Sequence, residues 1–317
     1  MDMSNILHST LPSFTEQCTE YSDEIIWILQ ESELNRLTMR YTSPQLRYRE
    51  AIVNLIRSVG ECEKLRRSTV HLAIYMIDAF MDNHNITDNR LNLVALSCVI
   101  LASKIEENEP NIPSMAGMNA VVRNQYASSD YNVLEVLLLK FFNWHLIIPT
   151  TATFVEYWLL NIVGRADFPP SMTDTLFYER RDRAIELILE FLDITLMDIK
   201  WTNIRPSLLA SACLAAARAS LPVLIVWSAS MEELTGYSYQ EIAFMTRELM
   251  NLRAYLITKE TSCRKRSALD SGYLSDLGDS YTTDKRDDVE VNEWEDYIDA
   301  DDTDDEVVLA FESKRAR

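Results

Sequence analysis

The sequence predicts an all-α protein: two consecutive five-helix bundles, preceded by one helix and followed by a disordered acidic tail. Three observations predict it. Apolar residues recur at three- and four-residue spacing along most of the first 257 residues. Glycine is scarce, six in 317 residues and widely scattered, which disfavours hairpin-rich folds and phosphate-cradling loops. Two apolar, small-residue segments, ALSCVILASK (95–104) and ASACLAAARA (210–219), lie about 115 residues apart at comparable places in their surroundings, which suggests a repeated architecture. Hydrophobic residues make up 47% of the chain, enough to fill two cores.

The elements follow in order. Residues 1–43 form an extension in which SDEIIWILQESELNRL (22–37) reads as an amphipathic helix. The first bundle is assigned to 44–149. In LRYREAIVNLIRSVG, Ile52, Leu55, Ile56 and Val59 share a face, and Gly60 is placed to end the helix. STVHLAIYMIDAFMDN carries the stripe Val70, Ile74, Ile77 and Met81, with Ser68 or Thr69 as a capping residue. LNLVALSCVILASKIEENEP places Leu91, Val94, Ala95, Cys98, Ala102 and Ile105 on one face, with Leu93, Leu96 and Ile100 on the other. A helix apolar all round is buried among others. A short irregular element follows at 112–125. SSDYNVLEVLLLKFFNW then carries the stripe Leu134, Leu137, Leu138 and Phe141.

The second bundle is assigned to 150–257. It begins after Pro149 with TTATFVEYWLLNIV, and the FPP at 168–170 marks a loop. DTLFYERRDRAIELILEFLDITLMD points Leu187, Ile188, Phe191 and Leu192 inward and Arg180, Arg181 and Arg183 outward. RPSLLASACLAAARAS starts with Pro206 near the first helical position. Its Ala and Ser residues let neighbouring helices approach closely. Two further helical segments lie at 227–236 and 238–256. From about Thr258 the periodicity stops, and 258–317 is expected to be disordered.

Charge and composition exclude several functions. The net charge is −19, and 17 Asp/Glu against two basic residues fall between Asp270 and Glu312. A nucleic-acid partner needs a basic footprint, so none is expected. No segment suits a signal peptide or a membrane span, and the five cysteines show no CxxC pair, which suits a reducing, intracellular setting. Nucleus and cytoplasm are both expected, with RKR (264–266) and KRAR (314–317) as short import-like runs. His8, His71, His84 and His145 have no metal-ligand spacing, and His71 reads as a satisfied core residue. No phosphate-binding loop or nucleophile elbow is present. No catalysis, metal or cofactor is expected.

The end of the central helix poses a question. Lys104 suits a helix C-terminus, but Glu106, Glu107 and Glu109 face the negative end of the dipole. ALSCVILASKIEENEP resembles the cyclin-box signature, in which a buried helix ends in Ala-Ser-Lys and two carboxylates. KLRRSTVHLAIYMIDAFM and LEVLLLKFFNWHLIIPTTATFVEY match the same box at the same spacing. The resemblance covers roughly 45–256 and, within the cyclin family, is greatest to the J-type group. It implies a double cyclin fold without catalysis of its own, which binds and activates a cyclin-dependent protein kinase in cell-cycle control. It also implies that Lys104 and Glu135 contact the kinase, both exposed on one face beside apolar surface. Arg49 and Asp78 are implied to form a structural ion pair between the first two helices of the box. The N-terminal helix, by the same resemblance, packs on the first box.

The sequence also departs from cyclins. Where many cell-cycle cyclins have a Met-Arg-Ala-Ile-Leu docking run, this chain has Tyr48 to Ile52, with Asn54, Leu55 and Asn92 replacing further patch residues. An altered docking groove at Tyr48, Ile52, Leu55 and Asn92 is the resulting expectation. In the tail, DSGYLS (Asp270, Ser271, Gly272, Ser275) resembles a phosphodegron, implying a ubiquitin-ligase receptor as a second partner and ubiquitin-mediated degradation. The competing reading is a cyclin-fold adaptor, for example transcriptional, that binds proteins without activating a kinase.

Overall fold

The computed structural model describes residues 22–159, 161–221 and 225–272, with side chains described from residue 24 to residue 259 of these. These residues are helical throughout their regular structure. An initial helix α1 (Ser22–Glu33) precedes α2 (Arg49–Cys62), α3 (Arg67–Asn83), α4 (Leu91–Glu106), α5 (Met115–Val121) and α6 (Ser128–Phe141). The second half comprises α7 (Thr151–Trp158), α8 (Asp174–Thr195), α9 (Pro206–Ala219), α10 (Ala229–Thr235) and α11 (Tyr239–Gly272).

Each half has its own core. In the first, α3 and α4 pack along their length, and α2 and α6 close over them. Leu72, Met76, Ile77 and Phe80 of α3 meet Leu93, Val94, Leu96 and Cys98 of α4 and Leu134 and Leu138 of α6, all fully buried. Helix α3 is buried all round, not only along its apolar stripe. Each such side chain stabilises the fold by about 1.5–3 kcal/mol on burial. In the second half α9 is central, against α7, α8 and α11. Its Ala210, Ala212, Ala215, Ala216 and Ala217 are fully buried, so the neighbouring helices sit against its backbone.

Four expectations change. Gly60 does not end α2; the helix continues to Cys62, and a Cβ at Gly60 would stand 2.6 Å from Val70 Cγ2 on α3. That glycine lets two helices touch. Ser68 and Thr69 lie inside the first turn of α3, where Arg66 is the N-cap residue without a side-chain cap of its own. Helix α11 runs to Gly272, past the end of apolar periodicity at Thr258. And α1 packs on the second bundle, not the first. Its Ile26 and Leu29 join the second core, and Glu33 accepts from the Ser207 amide (2.8 Å) and hydroxyl (2.6 Å) at the start of α9. The positive end of α9 holds that buried carboxylate.

The strap from α1 into the first bundle ties the halves together. Arg36 donates to the Pro149 and Thr202 carbonyls, and the Tyr75 hydroxyl accepts from the Leu37 amide. Asn203 exchanges two hydrogen bonds with the Met39 backbone, while Asp82 accepts from the amides of Arg40 and Thr42. Asp193 of α8 completes the joint, lying 3.8 Å from Arg57 and 3.5 Å from Arg67.

Candidate functional site

The end of α4 answers the carboxylate question for Glu107. Glu107 is the C-cap residue, and its side chain turns away from its own helix. Its Oε1 accepts from the Arg66 amide and the Thr69 hydroxyl, each at 2.6 Å, at the start of α3. Glu156 of α7 joins it there, accepting from the Ser68 amide (3.0 Å) and Arg66 Nη2 (2.6 Å). Two of the orphan amides at the start of α3, those of Arg66 and Ser68, are thus satisfied by carboxylates from two other helices. Arg66 Nη1 also donates to the Glu106 carbonyl, one of the orphan acceptors of α4. Burial pushes the Glu106 and Glu156 carboxyls above their ordinary range, and the Arg66 charge opposes this.

With those carboxylates engaged, Lys104 is left at the surface. Lys104 Nζ lies 2.6 Å from Glu135 Oε1 of α6, with side chains 38% and 25% exposed. The two residues singled out in the sequence are thus brought together in one half-exposed ion pair rather than standing apart. Exposed apolar residues lie on the same elements: Ile105 beside Lys104, Val136 beside Glu135, and Trp144 and Ile147 just beyond α6. Trp144 and Ile147 are 66% and 75% exposed, too apolar for an ordinary solvated loop. The sequence reading missed them, and it placed Ile105 on a buried face. Their only signal was large apolar residues continuing past the last turn of a helix.

The corresponding corner of the second bundle is closed. Arg218, near the end of α9, is fully buried. It makes a forked bond to Asp167 (2.7 and 3.1 Å) and donates to the carbonyls of Ile162, Ile225 and Val226. Among the described residues Lys104 is half-exposed at the first bundle's corner, whereas Arg218 is buried at its counterpart.

Arg49 and Asp78 form a forked pair at 2.9 and 2.8 Å, both buried. Arg49 Nη1 also donates to the Leu196 carbonyl (2.9 Å), so the pair couples the two bundles as well as α2 to α3. Burial pushes Asp78 up, and Arg49 draws it back. Three of the four residues of the expected groove lie together. Tyr48, Ile52 and Asn92 line a cavity of about 390 Å³ with Asp88, Leu91 and Tyr126. Leu55 does not line it and packs on the core instead. The Tyr48 hydroxyl donates to Asp88 at 2.6 Å on the rim. Asp270, Ser271 and Gly272 close α11 by their backbone, their side chains and Ser275 lying outside the described residues. His71 is buried as expected, yet its Nε2 has no hydrogen-bond partner among the described residues. Among the described residues no cluster of three metal-ligating side chains occurs, and no helix is long and apolar enough to cross a membrane.

Two family models match. The cyclin N-terminal domain covers residues 24–147 and the cyclin C-terminal domain covers 149–276. This chain belongs to the cyclin family. Among curated cyclins, it is 34% identical to Cyclin-J of Xenopus laevis over 67% of this chain and 56% of that one. It is 33% identical to the Cyclin-J-like protein of Mus musculus over 68% and 57%, and 30% identical to Cyclin-A2 of Homo sapiens over 51% and 38%. The matched regions span little more than half of the J-type relatives. Among solved structures, a viral cyclin from herpesvirus saimiri superposes with a TM-score of 0.57 at 14% identity, over 72% of this chain and 96% of that one, which shows the shared fold. Cyclins as a family are regulatory subunits rather than enzymes themselves.

Proposed function

We propose that this cyclin binds and activates a cyclin-dependent protein kinase, in cell-cycle control, through the face that carries Lys104 and Glu135. The observation that carries the reading is the Lys104–Glu135 pair, half-exposed at the end of a buried helix, with exposed Ile105 and Val136 next to it in sequence and exposed Trp144 and Ile147 just beyond α6. A surface pair of this kind contributes only about 0–1 kcal/mol to folding, so it opens at little cost. Once opened, Lys104 offers donors to a partner's carbonyls and Glu135 accepts from its amides, while the apolar residues supply burial. A kinase needs its Lys–Glu pair assembled before phosphoryl transfer, and a rigid face holding the glutamate-bearing helix supplies that.

The groove around Tyr48, Ile52 and Asn92 is a second contact surface, for a substrate or inhibitor segment. The tail motif at 270–275 is the proposed route to a ubiquitin ligase. Nucleus and cytoplasm remain the proposed locations. The test of the kinase reading is binding of purified chain to a panel of cyclin-dependent kinases by calorimetry, with Lys104→Ala and Glu135→Ala alongside. One kinase should bind the parent and lose about 2–5 kcal/mol of affinity with each variant. Equal affinity for parent and variants contradicts the assigned face.

A further inference from the structure

Helix α11 has an outward face that nothing among the described residues covers. Gln240, Phe244, Arg247, Asn251 and Tyr255 are all exposed, at helical spacing on one side. Phe244 is 70% exposed and Tyr255 62%. Arg247 has no ion pair among the described residues, whereas Arg253, on another side of the helix, is tied to Glu190. From Phe244 to Arg266 the helix sequence carries six basic residues against two acidic. The described part of the face therefore sets two exposed aromatics around Arg247, on a helix whose 244–266 stretch is net basic in a chain whose net charge is −19.

We propose that residues 287–299 of this chain, DDVEVNEWEDYID, dock on that face. The segment lies outside the described residues. It holds seven carboxylates and no basic residue, and Val291, Trp294 and Ile298 follow helical spacing. Its charge complements the helix, and its apolar residues match Phe244 and Tyr255. The connection has the right length. Tyr255 precedes Gly272 by 17 residues, about 26 Å of helix at ~1.5 Å per residue. Trp294 follows Gly272 by 22 residues, for which a flexible chain has a root-mean-square span of about 26 Å. A linker whose span matches the distance gives the highest effective concentration, so weak contacts suffice.

The test is amide hydrogen exchange of the full chain, read by mass spectrometry, with Phe244→Ala/Arg247→Glu and Trp294→Ala compared with the parent. Both sites on α11 are exposed, so the fold should tolerate the changes, and unchanged exchange in α3 and α4 checks it. Amides of 287–299 should exchange roughly ten-fold or more slowly than a free chain in the parent, and at free-chain rates in both variants. High salt should weaken the protection. Free-chain exchange in the parent, or protection indifferent to Phe244 and Arg247, overturns the proposal. Protection that grows with protein concentration also overturns it, assigning the face to a second copy.

Discussion

Lys104, Glu135, Glu107 and His71 show how single residues divide between folding and binding. Lys104→Ala should change unfolding free energy by less than about 1 kcal/mol in urea titrations, because the pair is half-exposed. Glu107→Ala should cost more, about 1–3 kcal/mol, because it strips partners from the Arg66 amide and Thr69 hydroxyl at the start of α3. A larger loss for Lys104 than for Glu107 would reverse the roles assigned to them. His71 gives a pH dependence. Burial, with Arg67, Arg36 and Arg57 adding repulsion, pushes its pKa down to about 3 from an ordinary value near 6.5. The folded state thus binds fewer protons than the unfolded one below pH 6.5. The stability involved is fully present above pH 6.5 and is lost as pH falls towards 3, at up to about 1.4 kcal/mol per pH unit. His71→Gln should flatten the parent's slope between pH 6.5 and 5, and identical slopes would show that His71 does not titrate on unfolding. Lys104 and Glu135 were singled out because the signature around them is dense, but their pairing with each other was not foreseen. The capping role of Glu107 was not foreseen either, since its partners at Arg66 and Thr69 stand on a different helix.

At the scale of elements, helix-to-helix contact depends on residues whose meaning is three-dimensional. Gly60 has the sequence signature of a helix end, yet it lies inside α2 against Val70. Gly60→Ala should destabilise the fold by about 1–3 kcal/mol by overpacking, despite alanine's better helix propensity; a stabilised variant would contradict the close approach. The apolar periodicity of α6 and α8 was readable because burial on one face imposes it directly, and the continuous apolar run of α4 because that helix is buried all round. The placement of α1 was not readable, because its amphipathic pattern states that it packs but not on what. Glu33 decides that, through Ser207 at the start of a helix 174 residues away. The helical end of α11 was likewise missed. Beyond Leu256 its sequence has no apolar stripe, and periodicity reports burial rather than helix formation.

The whole molecule is two bundles held by polar contacts that converge on their joint: Arg49 to Leu196, Arg66 and Ser68 to Glu156, Asp193 to Arg57 and Arg67, and the strap through Asn203 and Asp82. The two-bundle plan was legible from the paired central helices, but the joint was not, since each contact spans distant parts of the chain. The same plan carries a structural asymmetry between its two corners. The second bundle buries Arg218 in a closed network, while the first leaves Lys104 beside exposed apolar residues. The central claim is that this open corner switches on a kinase. Its most direct test is phosphate transfer to a generic substrate by a panel of cyclin-dependent kinases, each mixed with the parent chain or with the Lys104→Ala/Glu135→Ala variant. One kinase should become active with the parent and stay near its basal rate with the variant. If no kinase responds to the well-folded parent, or if parent and variant activate equally, the claim is wrong.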